Sequence, residues 1–168
     1  MDSDRPRPNE QGPVVIGLGN LLMGDDGIGI RVARELMRHP PEKNIKIYVY
    51  RELDLSLIEG LQGASRVVVV DALQAGKPPG AVSKYSIAST EESQFQLPSL
   101  HGLVLSDLFA LAKYAGLLSC PVILVGVEPK DWRPGKRMSR EVVASIPKVL
   151  DEVARELKRP VAGSKPKV

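Results

Sequence analysis

The chain has 168 residues, 43% hydrophobic and 26% charged, enough for one domain with a substantial core. Its net charge of +3 resides in a terminal stretch, "KRPVAGSKPKV", whose four positive residues leave the rest slightly acidic, and aromatics are only 4%. A nucleic-acid binder is therefore not expected. No run approaches the roughly 18 apolar residues of a membrane span, and the polar start "MDSDRPRPNEQG" has no apolar centre like that of a secretory signal. One cysteine, Cys120, allows no intramolecular disulfide and suits a reducing cytoplasm.

After this flexible extension (residues 1–12), "PVVIGLG" predicts a buried strand. In "GIGIRVARELMRH" the spacing of Ile28, Val32, Leu36 and Met37 predicts one helix face. "IKIYVY" reads as a second strand and "DLSLIEGLQ" as a short helix capped by Asp54. Four consecutive valines in "RVVVVDA" cannot be half-exposed, which predicts a central strand covered on both faces. "GKPPGAVSKYSIA" predicts a loop and then an edge strand. The polar loop "STEESQFQLPS" leads to the amphipathic helix "LHGLVLSDLFALAKYAG", closed by a C-cap glycine. "PVILVGV" is a further buried strand and "EPKDWRPGKRM" a loop. The final helix starts at Ser139 and should kink at Pro147. Strands alternating with helices predict a single three-layer α/β/α domain over residues 13–159, with a mostly parallel sheet and a flexible basic tail at 160–168.

Ligands of such sheets bind beyond the carboxyl ends of the strands. There the sequence offers Asp25 and Asp26 after the first strand, Asp71 ending the valine strand, and His101 at a helix start. The stretch "GLGNLLMGDDGIG" begins like a dinucleotide loop, yet Leu22 stands where the third glycine belongs, and no acid follows the second strand at the required distance. A nucleotide-binding α/β domain is thus the weaker alternative. No G-x-S-x-G elbow, H-E-x-x-H or paired-cysteine signature occurs. Cys120, directly before Pro121, reads as a small buried apolar residue, and His39 as a charge partner at a helix end.

Asp25 and Asp26 could simply complement a helix dipole, at about 0.3–1 kcal/mol each. Asp71 is harder to dismiss, because a carboxylate at the end of the most buried strand needs a partner, a hydrogen-bond network or a cation. A helix start disfavours imidazolium and would leave the His101 ring neutral and able to bind metal. Two carboxylates and an imidazole at one sheet edge suit an open divalent site for nickel or zinc.

In combination, "GLGNLLMGDDGIG", "VVVVDA", "SLHG", "VILVGVEP" and "MSREV" resemble the hydrogenase maturation endopeptidases, from about Val14 to Leu157. The resemblance implies a twisted, five-stranded α/β/α fold. It implies a single cut near the C-terminus of the large-subunit precursor of a nickel–iron hydrogenase, made after nickel insertion. The family's three metal-binding positions fall on Asp26, Asp71 and His101, which would act through the metal with no separate nucleophile. Gly17, Gly19 and Asn20 would shape the turn presenting Asp26, with Asp25 as a cap or supporting group. Members carry glutamate or aspartate at the first position. The aspartate here is similar to the formate-hydrogenlyase-associated members and sets its oxygens back by about 1.5 Å.

The implied cofactor is nickel, supplied by the precursor, with zinc or another divalent ion as the alternative in the isolated protein. The expected partner is the precursor alone, met by a cytoplasmic monomer. A non-catalytic, nickel-sensing accessory protein is the alternative from another functional class. The loop carrying Trp132 is a candidate substrate-facing surface.

Overall fold

The four valines sit in the middle of the sheet. They belong to β3 (Arg66–Ala72), whose seven residues are all buried. In this computed structural model, which describes residues 12–52, 56–87 and 102–160 apart from the side chains of 102–104 and 106, β3 lies between β1 (Pro13–Leu18) and β5 (Val122–Val127). Both pair with it in parallel, and β2 (Lys46–Tyr50) is parallel to β1 at one edge. The other edge is β4 (Val82–Ser86), antiparallel to β5, so the order is β2-β1-β3-β5-β4.

Alternation along these strands sends side chains to two apolar layers. Val14, Ile16, Val67, Val69 and Leu124 pack with α2 (Ser56–Leu61) and α3 (Gly102–Tyr114). Val15, Val68, Val70, Val125 and Val127 pack with α1 (Ile28–Arg38) and α4 (Arg140–Lys158). The three-layer α/β/α arrangement expected from the sequence is therefore the observed one.

Several local expectations hold. Ser139 caps α4, its hydroxyl accepting from the Val142 N–H at 3.4 Å. Gly116 follows α3 at φ 69°. α4 runs unbroken from Arg140 to Lys158 through Pro147, which is exposed. Met37 departs from expectation. Ile28, Val32 and Leu36 face inward, but Met37 is exposed, because the residue after Leu36 is turned about 100° further round the helix. The anticipated cap Asp54, the loop over 89–99, the extension before Gly12, the tail beyond Pro160 and His101 lie outside the described residues.

Close backbone approach seats α1 on the sheet. A Cβ on Gly29 would lie well inside van der Waals contact of the Leu18 and Val70 carbonyl oxygens, and one on Gly17 would meet the Gly29 carbonyl. These obstacles are backbone and cannot rotate away. Gly29→Ala should lower unfolding free energy by about 3 kcal/mol, read from urea denaturation. Gly60→Ala, on α2 with only ordinary contacts to Tyr48, should be neutral or stabilising by up to about 1 kcal/mol.

A polar network joins the β4 edge to the end of α4. Glu156, buried, accepts from the Lys84 Nζ at 2.7 Å and the Arg159 Nη1 at 3.1 Å, with the Arg66 Nη1 at 3.6 Å. The Lys84 Nζ also reaches Glu152 at 2.9 Å. Hydrogen bonds to Glu156 and Glu152 raise the Lys84 pKa, and the bond from Lys84 lowers that of Glu152. The depressed carboxyl contributes stability present above 4.5, its ordinary value, and lost as pH falls through the lower folded value. The raised ammonium contributes stability present below 10.5 and lost as pH rises through the higher folded value. Lys84→Met should flatten both limbs of the stability profile, measured as the urea midpoint across acid and alkaline pH.

Candidate active site at the carboxyl edge of the sheet

Chain connections leave β1 and β3 for opposite faces. β1 leads into α1 on one layer, whereas the segment after β3 leads through β4 to α3 on the other. Between their carboxyl ends lies the switch point at which open α/β sheets bind ligands. Asp26 follows β1 and Asp71 lies within the end of β3, so this crevice receives both acids.

Asp26 belongs to a 3-10 turn, Gly24–Gly27, that packs against β3 and runs into α1. It is 4% exposed, and its Oδ2 accepts from the Asn20 N–H at 2.7 Å. Asn20 folds the preceding loop as well, its Oδ1 accepting from the Leu22 N–H at 3.0 Å and its carbonyl from the Met23 N–H at 3.0 Å. Gly19 makes this approach possible. Its φ is +127°, and a Cβ there would collide with the Asp26 carbonyl oxygen. Gly17 lies two residues earlier, inside β1, where it admits α1 rather than forming the loop.

Asp71 is fully buried, and its Oδ1 accepts from the Ala72 N–H at 2.9 Å. By strand alternation it shares the face of Val67 and Val69, which α3 covers. Gly102 opens α3, and His101, immediately before it, is outside the described residues. Among the described residues no three His, Cys, Asp or Glu side chains are grouped to hold a metal ion. The structure thus brings two of the three expected donors to one edge, and both are oxygen donors suited to a divalent cation.

Asp25 does something the sequence did not reveal. Neither the 3-10 turn nor α1 has a side-chain cap, and the Asp25 carboxylate points instead to the loop after β5. With no exposure, it accepts from the backbone N–H groups of Lys130 at 2.8 Å, Asp131 at 2.9 Å and Ser139 at 2.6 Å. The Asp25 N–H returns a bond to the Asp131 carbonyl at 2.9 Å. Glu128, also not singled out by sequence, holds the loop after β3 by accepting from the Ala75 and Gly76 N–H groups at 2.8 and 3.2 Å. Its signal was an acid directly after a buried strand, like that of Asp71.

Cys120 is buried, and burial pushes its thiol up to about 11, so it is no thiolate nucleophile at neutral pH. His39, at the end of α1, has its Nδ1 3.3 Å from the Glu35 Oε1. Trp132, in the loop singled out as a candidate substrate-facing surface, is half-buried.

The three-layer fold is shared with known proteins. The family model described as "HycI: Hydrogenase maturation protease" matches residues 30–156, a span that contains Asp71 and His101 and begins after Asp26. The chain belongs to the hydrogenase maturation protease family. It is 31% identical over 120 residues to the hydrogenase expression/formation protein HupD of Thiocapsa roseopersicina, covering 69% of this chain and 53% of that protein. The chain therefore spans about half the length of that curated relative. The [NiFe] hydrogenase maturation protease HybD from Thermococcus kodakarensis superposes with a TM-score of 0.67 at 26% identity, over 88% of this chain and 99% of that one. The hydrogenase maturating endopeptidase HybD from E. coli shares the fold, with a TM-score of 0.75 at 23% identity over 88% and 92% of the two chains.

Asparagine in place of Asp25 would present an amide NH2 to converging N–H donors and remove the charge they stabilise. Asp25→Asn should cost about 3 kcal/mol of stability. Hydrogen exchange should locate the loss at the Lys130, Asp131 and Ser139 amides.

Proposed function

We propose that this chain is an endopeptidase that removes a C-terminal peptide from the nickel-loaded precursor of a nickel–iron hydrogenase large subunit. In this reading Asp26, Asp71 and His101 engage the nickel that the precursor brings. The supporting observation is the burial of Asp26 and Asp71 at the carboxyl ends of neighbouring strands in a chain of this family. Carboxyl oxygens in such low-dielectric surroundings attract a divalent cation arriving with the substrate. A precursor without nickel lacks that attraction and is not held for cutting.

The reaction is hydrolysis: water adds to the scissile carbonyl, the C–N bond breaks, and the amine leaves with a proton. This chain's part is to fix the substrate. Gly19 and Asn20 hold the turn that carries Asp26, and the buried strand end fixes Asp71. No helix among the described residues is long and apolar enough to cross a membrane.

The test is incubation with nickel-loaded and nickel-free precursor, followed by mass spectrometry. Loss of a C-terminal peptide from the loaded form alone is the expected result. An intact precursor retained in a complex would favour the non-catalytic, nickel-sensing accessory protein. Substitutions supporting metal ligands already cost about 10–100-fold, so Asp71→Asn and His101→Ala should each slow processing by at least about 100-fold. Undiminished processing by either variant would overturn the three-residue assignment.

A further inference from the structure

Two loops border Asp26, and backbone bonds clamp them into one surface. The Gly135 N–H donates to the Leu22 carbonyl at 2.8 Å, beside the bonds that Asp25 makes to the 130–139 segment. A Cβ on Gly24 would collide with the Asp131 carbonyl and sit 3.4 Å from the Lys136 Cβ, so the two backbones touch. On this rigid base Leu21 is 41% and Leu22 67% exposed. Of the other large apolar residues exposed among the described ones, Leu111 and Tyr114 lie one turn apart on α3, and Met37, Val49 and Val143 occur singly. Only these two are consecutive, and they lie between Asn20 and the turn carrying Asp26.

The partner loop adds a hollow of about 440 Å³ lined by Lys130, Asp131, Trp132 and Arg133. It also adds an excess of positive charge. Lys130 pairs with Glu141 and Arg133 with Asp131, whereas Lys136 and Arg137 are exposed and make no ion pair among the described residues. Two exposed leucines thus stand beside exposed positive side chains, of which Lys136 also acts on Asp131 through space. Preorganised apolar area with a charged rim is the composition of a docking surface.

We propose that this two-loop platform docks the precursor itself. An apolar side chain of an extended precursor segment rests on Leu21, Leu22 and the Trp132 hollow, with acidic residues of the same segment facing Lys136 and Arg137. The platform selects the protein chain, and the carboxylate edge selects its metal state. The partner's identity rests on the proposed function above, but docking is measurable without cleavage.

Binding of nickel-free and of nickel-loaded large-subunit precursor is measured by calorimetry for wild type, Leu22→Ser, and Lys136→Glu combined with Arg137→Glu. Leu111→Ser is the control, since Leu111 is 54% exposed on α3, away from both loops. The platform variants should bind both precursor forms about tenfold more weakly, with unaltered circular dichroism and melting, and the control should match wild type. The charge-reversed variant should also lose the weakening by added salt that wild type shows. Wild-type affinity in both platform variants would overturn the proposal, as would an equal loss in Leu111→Ser. If wild type cuts neither precursor form yet the platform variants bind weakly, the protease reading fails and the docking surface stands.

Discussion

Three backbone N–H groups converge on one buried carboxylate, that of Asp25, and the functional edge is organised around them. A fully desolvated carboxylate is costly unless its charge is met by donors, and bonds from amides to an ionised acceptor are among the stronger ones a protein makes. The donors come from a loop more than a hundred residues away in sequence. The bond therefore fixes the turn after the first strand, and Asp26 with it, relative to the segment entering the last helix. Neighbouring acids thus have different partners: Asp25 closes the architecture through a distant loop, and Asp26 bonds the Asn20 amide within its own.

The sheet supplies the remaining constraint. Parallel strands with helices on both faces must have a crevice wherever successive connections diverge, and here that falls between β1 and β3. Glycine lets α1 descend until its first turn touches both strand ends. This close seating carries the acid of one strand's loop to the terminus of its neighbour. The same edge receives Glu128, whose carboxylate gathers the loop after β3. Local acids at strand ends serve as loop anchors as readily as ligand groups, and burial alone does not separate the two tasks. Asp25 and Glu128 each hold backbone amides of a segment distant in sequence.

Charge is handled differently along the sheet's β4 edge. Glu156 is met by lysine and arginine side chains from β4, β3 and the end of α4, a network that ties the antiparallel edge strand to its covering helix. These groups stabilise the frame, while the backbone-satisfied acids at the carboxyl edge shape the site. That frame stands behind the loop after β1, which carries the exposed Leu21 and Leu22.

Sequence by itself determined the layer architecture, because periodicity reports burial directly. Four valines in a row can only be a doubly covered strand, and "VSKYS" can only be an edge. It also determined the family, since glycine, asparagine and acid at fixed spacing are demanded by local backbone geometry: Gly19 must reach φ +127° and Asn20 must bond the amide two residues on. Tertiary structure alone decided which of two adjacent aspartates closes the fold. That depends on amides contributed by residues 130 to 139, and no local pattern encodes a contact across that separation. Met37 and Trp132 show the same limit, since helical spacing and residue type give a direction or a tendency, and only packing fixes how much of each side chain is covered.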